Sequence, residues 1–387
     1  MPYADGRTYL DADSHLMERP DFLRDFATDD IRRRLEPLNG GSQDRARDIF
    51  DEIVALPKHT DARVEEMVAL GDNLIAGPKG YLALGAFNRE ERQQALNQLG
   101  FQRQLVFATF SPVQALYGED LELKYGAAAA HNRAMADFCG VDSRLSGVGI
   151  LPLDDPALAA AELDQLLDLD LKAAWVAHDH CGGRSPGHND FDPIWARLGE
   201  AGVPVVLHVG GVPIQVAEAW MNTGRPVPQD WLGGGENVRG KDMLAMHHGA
   251  EMFFGAMIFD GVFERHRKLR AAAVELGAGW VPSWLERMDW TAKIWRKEAD
   301  LGALQRTPTE TAIEQIAVTP YVYEDVGKLI RQSDSRLYLF SSDYPHFEGS
   351  KNPIERFETF LDEEHIDDSG RDFFYQGNFA RVFAAAG

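Results

Sequence analysis

The stretch YLDADSHLMERPDFL, Tyr9 to Leu23, sets Asp11, Asp13 and His15 at every second position, behind an apolar lead-in and ahead of a proline-marked helix start. Side chains alternate across a β-strand. This spacing therefore predicts a strand that turns both carboxylates and the imidazole to one face, with His15 at its C-terminal end. Carboxylates crowded on one face repel each other unless a positive charge sits among them, and a divalent metal ion would supply it.

Working outward from that strand, the chain alternates between short apolar or β-branched runs and helical stretches. The strand candidates are RTYLDAD, RQLVFATF, LSGVGILPL, KAAWVAH, PVVLHVG, LRAAAVEL, EQIAVTP and RLYLFSSD. Between them lie helix candidates such as GAAAAHNRAMADFCG and DPALAAAELDQLLDLDL, the latter opened by Asp154, Asp155 and Pro156. Eight such strand–helix units predict an α/β fold, a TIM-type (β/α)8 barrel. Residues 24–102 are mostly polar and helix-like, which predicts a helical insertion or lid after strand one. Residues 352–387 read as closing helices, and residues 1–387 as a single barrel domain.

Composition sets outer limits. A chain of 387 residues with 44% hydrophobic content can bury a sizeable core. No run reaches the ~18 consecutive apolar residues of a membrane span, so no membrane partner is expected. The opening MPYADGRTYL lacks the pattern of a signal peptide, and two cysteines, Cys139 and Cys181, give no disulfide framework, so a cytoplasmic location is expected. A formal charge of −22 argues against nucleic acid as a partner. What remains is a small-molecule substrate.

In a barrel of this type catalytic groups gather at the C-terminal ends of the strands. Asp13 and His15 fall at the end of strand one, His178 and His180 at the end of strand four, His208 near the end of strand five, Glu275 at the end of strand six and Asp343 at the end of strand eight. Histidine and carboxylate donors without thiolates suit Zn²⁺ or Mn²⁺, and a catalytic site keeps one position open. Each assignment has a structural counterpart. His208 could be a buried histidine bonded to a carbonyl, Asp343 a helix cap, Asp11 a loop anchor, and the HDH stretch at 178–180 a polar loop.

DADSH at 11–15, PVVLH ending at His208, ELGAGWVPSWLERMD at 275–289 and FSSDYPH at 340–346 resemble the amidohydrolase superfamily. The branch they resemble includes aminocarboxymuconate semialdehyde decarboxylase and related metal-dependent hydrolases. RLSGVGILPLDDPALAAAEL and GNFARVF extend the similarity over nearly the whole chain. The resemblance implies that Asp13, His15, His208 and Asp343 bind one divalent metal ion, zinc before manganese, and that Asp343 also handles the proton of the metal-bound water. It also admits a homodimer.

Two departures stand out. Asp13 takes the place of the first of two histidines in the strand-one motif, and Glu275 replaces the histidine at the end of strand six. A carboxylate can serve there as acid or base if its surroundings raise its pKa. Lys172, which begins strand four, lies at the wrong end of the barrel to bridge two metals, so one metal is expected. The catalytic set is then Asp343, Glu275 and His346, with His178, His180 and Arg184 as substrate contacts.

The expected activity is hydrolysis of a small organic molecule by a metal-activated water, since Zn²⁺ lowers the pKa of bound water to about 7. Non-oxidative decarboxylation of an aromatic or unsaturated acid is the alternative, served by the same residues. It would want a cationic clamp, and among the strand ends only Arg184 in the strand-four loop offers a cation, which tilts the sequence toward hydrolysis. A barrel that binds a small ligand without turnover is the third reading.

Overall fold

The apolar runs form strands because a parallel sheet covered on both faces can take residues with no exposed side. A computed structural model describes residues 2–39, 50–53, 55–179, 181–213, 216–226, 240–297 and 304–386. The strands are β1 Leu10–Leu16, β2 Arg103–Ala108, β3 Leu145–Ile150, β4 Ala173–Trp175, β5 Val205–His208, β6 Ala271–Val274 and β7 Ile316–Val318. They pair in chain order, all parallel, and nearly all of their residues are buried.

The eighth expected strand closes the ring without regular pairing. Leu339 N–H donates to the Val318 carbonyl (2.9 Å) on one side. On the other, Ala12 N–H donates to Phe340 (3.0 Å), His15 N–H to Tyr344 (2.7 Å) and Asp343 N–H to Asp13 (2.9 Å). Phe340 N–H turns away to the Phe374 carbonyl (3.0 Å), which reduces this edge to isolated bridges. The fold is thus a TIM-type α/β barrel.

Helix Pro156–Asp168 starts where the sequence places it: the Asp155 side chain accepts the N–H groups of Ala157 (2.9 Å) and Leu158 (3.0 Å), which have no partner inside the helix. This helix packs hard on β3. A Cβ at Gly149 would come within 2.7 Å of the Leu166 side chain, which would have to shift to admit it.

Within 24–102 lie helices Asp29–Arg34, Asp61–Val68 and Arg89–Leu99, with short 3-10 turns at Gly71–Ala76 and Gly80–Leu82. The stretch is tied to the strand-one and strand-eight ends. Arg92, fully buried, donates to the His15 carbonyl (3.1 Å) and Ser14 Oγ (2.8 Å), and Gly80 N–H donates to the Pro345 carbonyl (2.8 Å). Near the C-terminus, helices Pro353–Glu363, Asp368–Asp372 and Asn378–Val382 cover the other side of the eighth segment. Asn378, in the GNFARVF motif, donates to the carbonyls of Ser335 (2.7 Å) and Tyr338 (2.8 Å), so that motif anchors the barrel's closure. Both cysteines are free and buried. Among the described residues no helix is long and apolar enough to cross a membrane.

Candidate metal centre

Asp13, His15, His208, Glu275, Asp343 and His346, drawn from four barrel strands and their C-terminal ends, meet in one buried cluster. Within it Asp13, His15, His208 and Glu275 offer ligand atoms all within 4.8 Å of one another, as do His15, Glu275, Asp343 and His346. Asp13 Oδ1 lies 3.2 Å from His15 Nε2 and 3.4 Å from His208 Nε2. Glu275 Oε2 lies 3.4 Å from His208 Nε2 and 3.7 Å from His15 Nε2. Asp343 Oδ1 is 3.5 Å from His15 Nε2 and 3.1 Å from His346 Nδ1.

Local chemistry fixes what each group can offer. His208 Nδ1 sits 2.7 Å from the Val209 carbonyl, a pure acceptor, so Nδ1 carries the proton and the lone pair of Nε2 faces the cluster. Burial, with the charge of His346, pushes the His15 imidazole down to about 3, leaving it neutral, the form that ligates a metal. Burial also lifts the Asp343 carboxyl to about 6, against the pull of His346. His15 Nδ1 is buried without a hydrogen-bond partner, while His15 Nε2 and Asp343 Oδ1 face other groups of the cluster. Unsatisfied buried polar atoms are costly, and three buried carboxylates repel each other. The two imidazoles and three carboxylates therefore fit a divalent cation.

Two of these residues hold backbone conformations that side chains rarely adopt: Glu275 has φ 54° and Asp343 has φ 53°. Such conformations persist where the surroundings impose them, and they cluster at functional sites. Here Glu275 N–H donates to Thr319 Oγ1 (2.8 Å) and Asp343 N–H to the Asp13 carbonyl (2.9 Å). Asp11 does not touch His15. Its carboxylate accepts from Ser342 N–H (2.8 Å), Ser342 Oγ (2.6 Å) and Gln104 Nε2 (2.8 Å), pinning the turn that presents Asp343.

His346 continues the cluster outward: its ring stacks on His15 at 3.8 Å, and its Nε2 lies 3.0 Å from Thr109 Oγ1. A cavity of about 80 Å³ borders Asp13, Glu275 and Asp343 and is walled by Tyr321 and Tyr323, whose rings stack at 5.5 Å. A second cavity, about 550 Å³, holds His178 and Arg184 in its wall. His178 is buried there, and burial together with His208 pushes its imidazole down to about 4. Arg184 is ion-paired with Asp190 at 3.4 Å. His180, expected beside them, lies outside the described residues.

Sequence reasoning missed Lys79. Its ammonium is buried without a hydrogen-bond partner, and burial lowers its pKa to about 8 against the opposing pull of Asp343 and Glu348. It sits in the apolar stretch LIAGPKGYLALGAF of the insertion, far in sequence from any strand end, and no periodicity marks it.

The sequence profile of the amidohydrolase family matches residues 82–384. The chain belongs to the amidohydrolase family. The match begins after β1, so Asp13 and His15 stand outside it while His208, Glu275, Asp343 and His346 stand within. Among curated proteins, this family member is 26% identical to the decarboxylase orsB of Emericella nidulans over 272 residues, covering 69% of this chain and 76% of that one. Among solved structures, an amidohydrolase from Mycobacterium avium subsp. paratuberculosis superposes with a TM-score of 0.73 at 23% identity, covering 99% of this chain and 100% of that one. The 5-carboxyvanillate decarboxylase of Novosphingobium aromaticivorans, solved with bound manganese, superposes with a TM-score of 0.63 at 17% identity, covering 98% and 97%.

Proposed function

We propose that this protein catalyses the metal-dependent, non-oxidative decarboxylation of an aromatic or unsaturated carboxylic acid. The observation that carries the reading is the likeness to a decarboxylase across 69% of the chain. The site supports it at the point where the sequence argued for hydrolysis: among the described residues no strand end offers a second cation, but the Lys79 ammonium, 5.8 Å from the centroid of the Tyr344 ring next to Asp343, sets a positive charge against that carboxylate.

In this reading Asp13, His15, His208 and Glu275 hold the metal ion, and Asp343 adjoins it. Glu275 joins the ligands because its Oε2 lies as close to His208 Nε2 as Asp13 Oδ1 does. Three carboxylates beside two imidazoles suit Mn²⁺ as well as Zn²⁺. The bound ion would act as a Lewis acid on the substrate's oxygens.

The chain's own groups do the rest. Lys79 draws the anionic acid toward the cluster, and the stacked Tyr321 and Tyr323 give the reacting carbon a flat apolar wall. A proton from the Asp343 carboxyl forms the new C–H bond at the carbon that carries the carboxylate. The C–C bond then breaks, its electron pair returns to the unsaturated system, and CO₂ leaves. Asp343, left as a carboxylate, is reprotonated from solvent along His346 and Thr109, which stand in hydrogen-bonding sequence behind it.

The test is proton NMR in D₂O on metal-reconstituted protein with a panel that includes 2,6-dihydroxybenzoate and 5-carboxyvanillate. Loss of an acid with one deuterium at the vacated carbon supports the reading. Acids left intact, together with cleavage of an ester or amide panel, would replace it by hydrolysis.

A further inference from the structure

The cavity of about 80 Å³ over the cluster has room for a reacting carboxyl and little more, whereas about 550 Å³ lies next to it. The two share a wall at Met246, and the larger one also borders Val209 and Leu276, the residues that directly follow His208 and Glu275. A volume of this size lies in the range that encloses a whole organic ligand. This adjoining volume is the nearest large space for the body of an acid whose carboxyl reaches the metal.

The lining of the larger chamber says what kind of body it takes. Val209, Val212, Met252, Phe253, Ala256 and Leu276 give it apolar walls. Its polar residues are largely committed elsewhere: Arg184 is paired with Asp190 (3.4 Å), and Ser185 Oγ donates to Asp260 Oδ2 (2.7 Å). Of the other polar residues in the lining, Asp179 and His248 among them, His178 has a buried Nδ1 with no hydrogen-bond partner. Met246 and Met252 are unbranched and adapt to ligands of different shape.

We infer that the substrate acid carries a neutral hydrocarbon substituent, and that the chamber beyond Met246 binds it. The inference rests on the decarboxylase reading for the acid, and on the chamber alone for the substituent. Transfer of methylenes from water into such a chamber tightens binding about fourfold per CH₂.

The probes are 3- and 4-alkylbenzoates, from methyl to butyl, titrated calorimetrically into the metal-loaded protein, with 1-alkanols of matching length as probes that lack the acid. The expected result is a rise in affinity of roughly threefold to fourfold per methylene in at least one benzoate series. Ala256→Phe, which fills the chamber from its wall, should abolish that increment. If that variant is unfolded by its melting curve, Met252→Trp, at an exposed position on the same wall, replaces it. A flat or falling series in both benzoates and alkanols overturns the inference. An increment in the alkanols without benzoate binding keeps the chamber's preference and counts against the carboxylic acid instead.

Discussion

Replacing Glu275 with glutamine removes one of three buried negative charges while keeping the side chain's shape, and the site's geometry predicts effects of opposite sign with and without metal. In the metal-free protein the Glu275 carboxylate has ligand oxygens of both Asp13 and Asp343 within 4.8 Å. Two unit charges at that separation repel by about 3.5 kcal/mol at an effective dielectric constant of about 20. Partial protonation of Asp343 and relaxation of the side chains reduce this to a net gain on the order of 2 kcal/mol for the neutral variant. Denaturant unfolding in excess chelator should therefore show Glu275→Gln to be more stable than the parent. Adding Mn²⁺ or Zn²⁺ should stabilise the parent far more than the variant, whose metal affinity should fall by about tenfold or more, the weight of about 1.4 kcal/mol. The reasoning is refuted if the metal-free variant is no more stable than the metal-free parent, or if it binds metal as tightly.

Three further outcomes are expected. His208→Ala should retain the barrel by circular dichroism and lose most of its bound metal by elemental analysis; metal at about one equivalent would return His208 to a packing role. Lys79→Met should raise KM for the acid by about tenfold with a smaller change in kcat, and an unchanged KM would remove the cation from substrate capture. Glu162, away from the cluster, is raised from 4.5 to about 7 by burial, against its hydrogen bond from Asn132. The fold favours its protonated form, so its stabilising contribution is complete below about pH 4.5 and lost as pH rises through about 7. Glu162→Gln should thus stabilise the protein at pH 8 by up to about 3 kcal/mol, at 1.36 kcal/mol per pKa unit, and hardly at all at pH 5. Equal gains at both values would discard burial as the cause.

The barrel was legible because its signals are local. Period-two spacing in DADSH and apolar runs such as VVLH and AAAV mark strands within a few residues, and Asp155–Pro156 marks a helix start by its own capping chemistry. The same logic placed Asp13, His15, His208, Glu275 and Asp343 at strand ends, and the structure brings all of them together. Contacts made by ring closure were not legible. Asp11 serves Ser342 rather than its near neighbour His15, because the eighth segment lies against β1 only once the barrel has closed. Nor does sequence show that Glu275 and Asp343 hold left-handed backbone, which Thr319 and Asp13 impose from other strands. Lys79 escaped for a related reason: its position beside the site depends on how the insertion folds back over the strand ends.

The most direct test of the central claim is CO₂ release from carboxyl-labelled hydroxybenzoates, measured on one preparation before and after metal removal and again after one equivalent of Mn²⁺ or Zn²⁺ is returned. Labelled CO₂ should come from at least one acid, be abolished by chelation, return with the ion and be lost in Asp343→Asn. Labelled CO₂ that persists at full rate in the metal-free protein, or a fully metal-loaded protein that releases none from any acid in the panel, would contradict the claim.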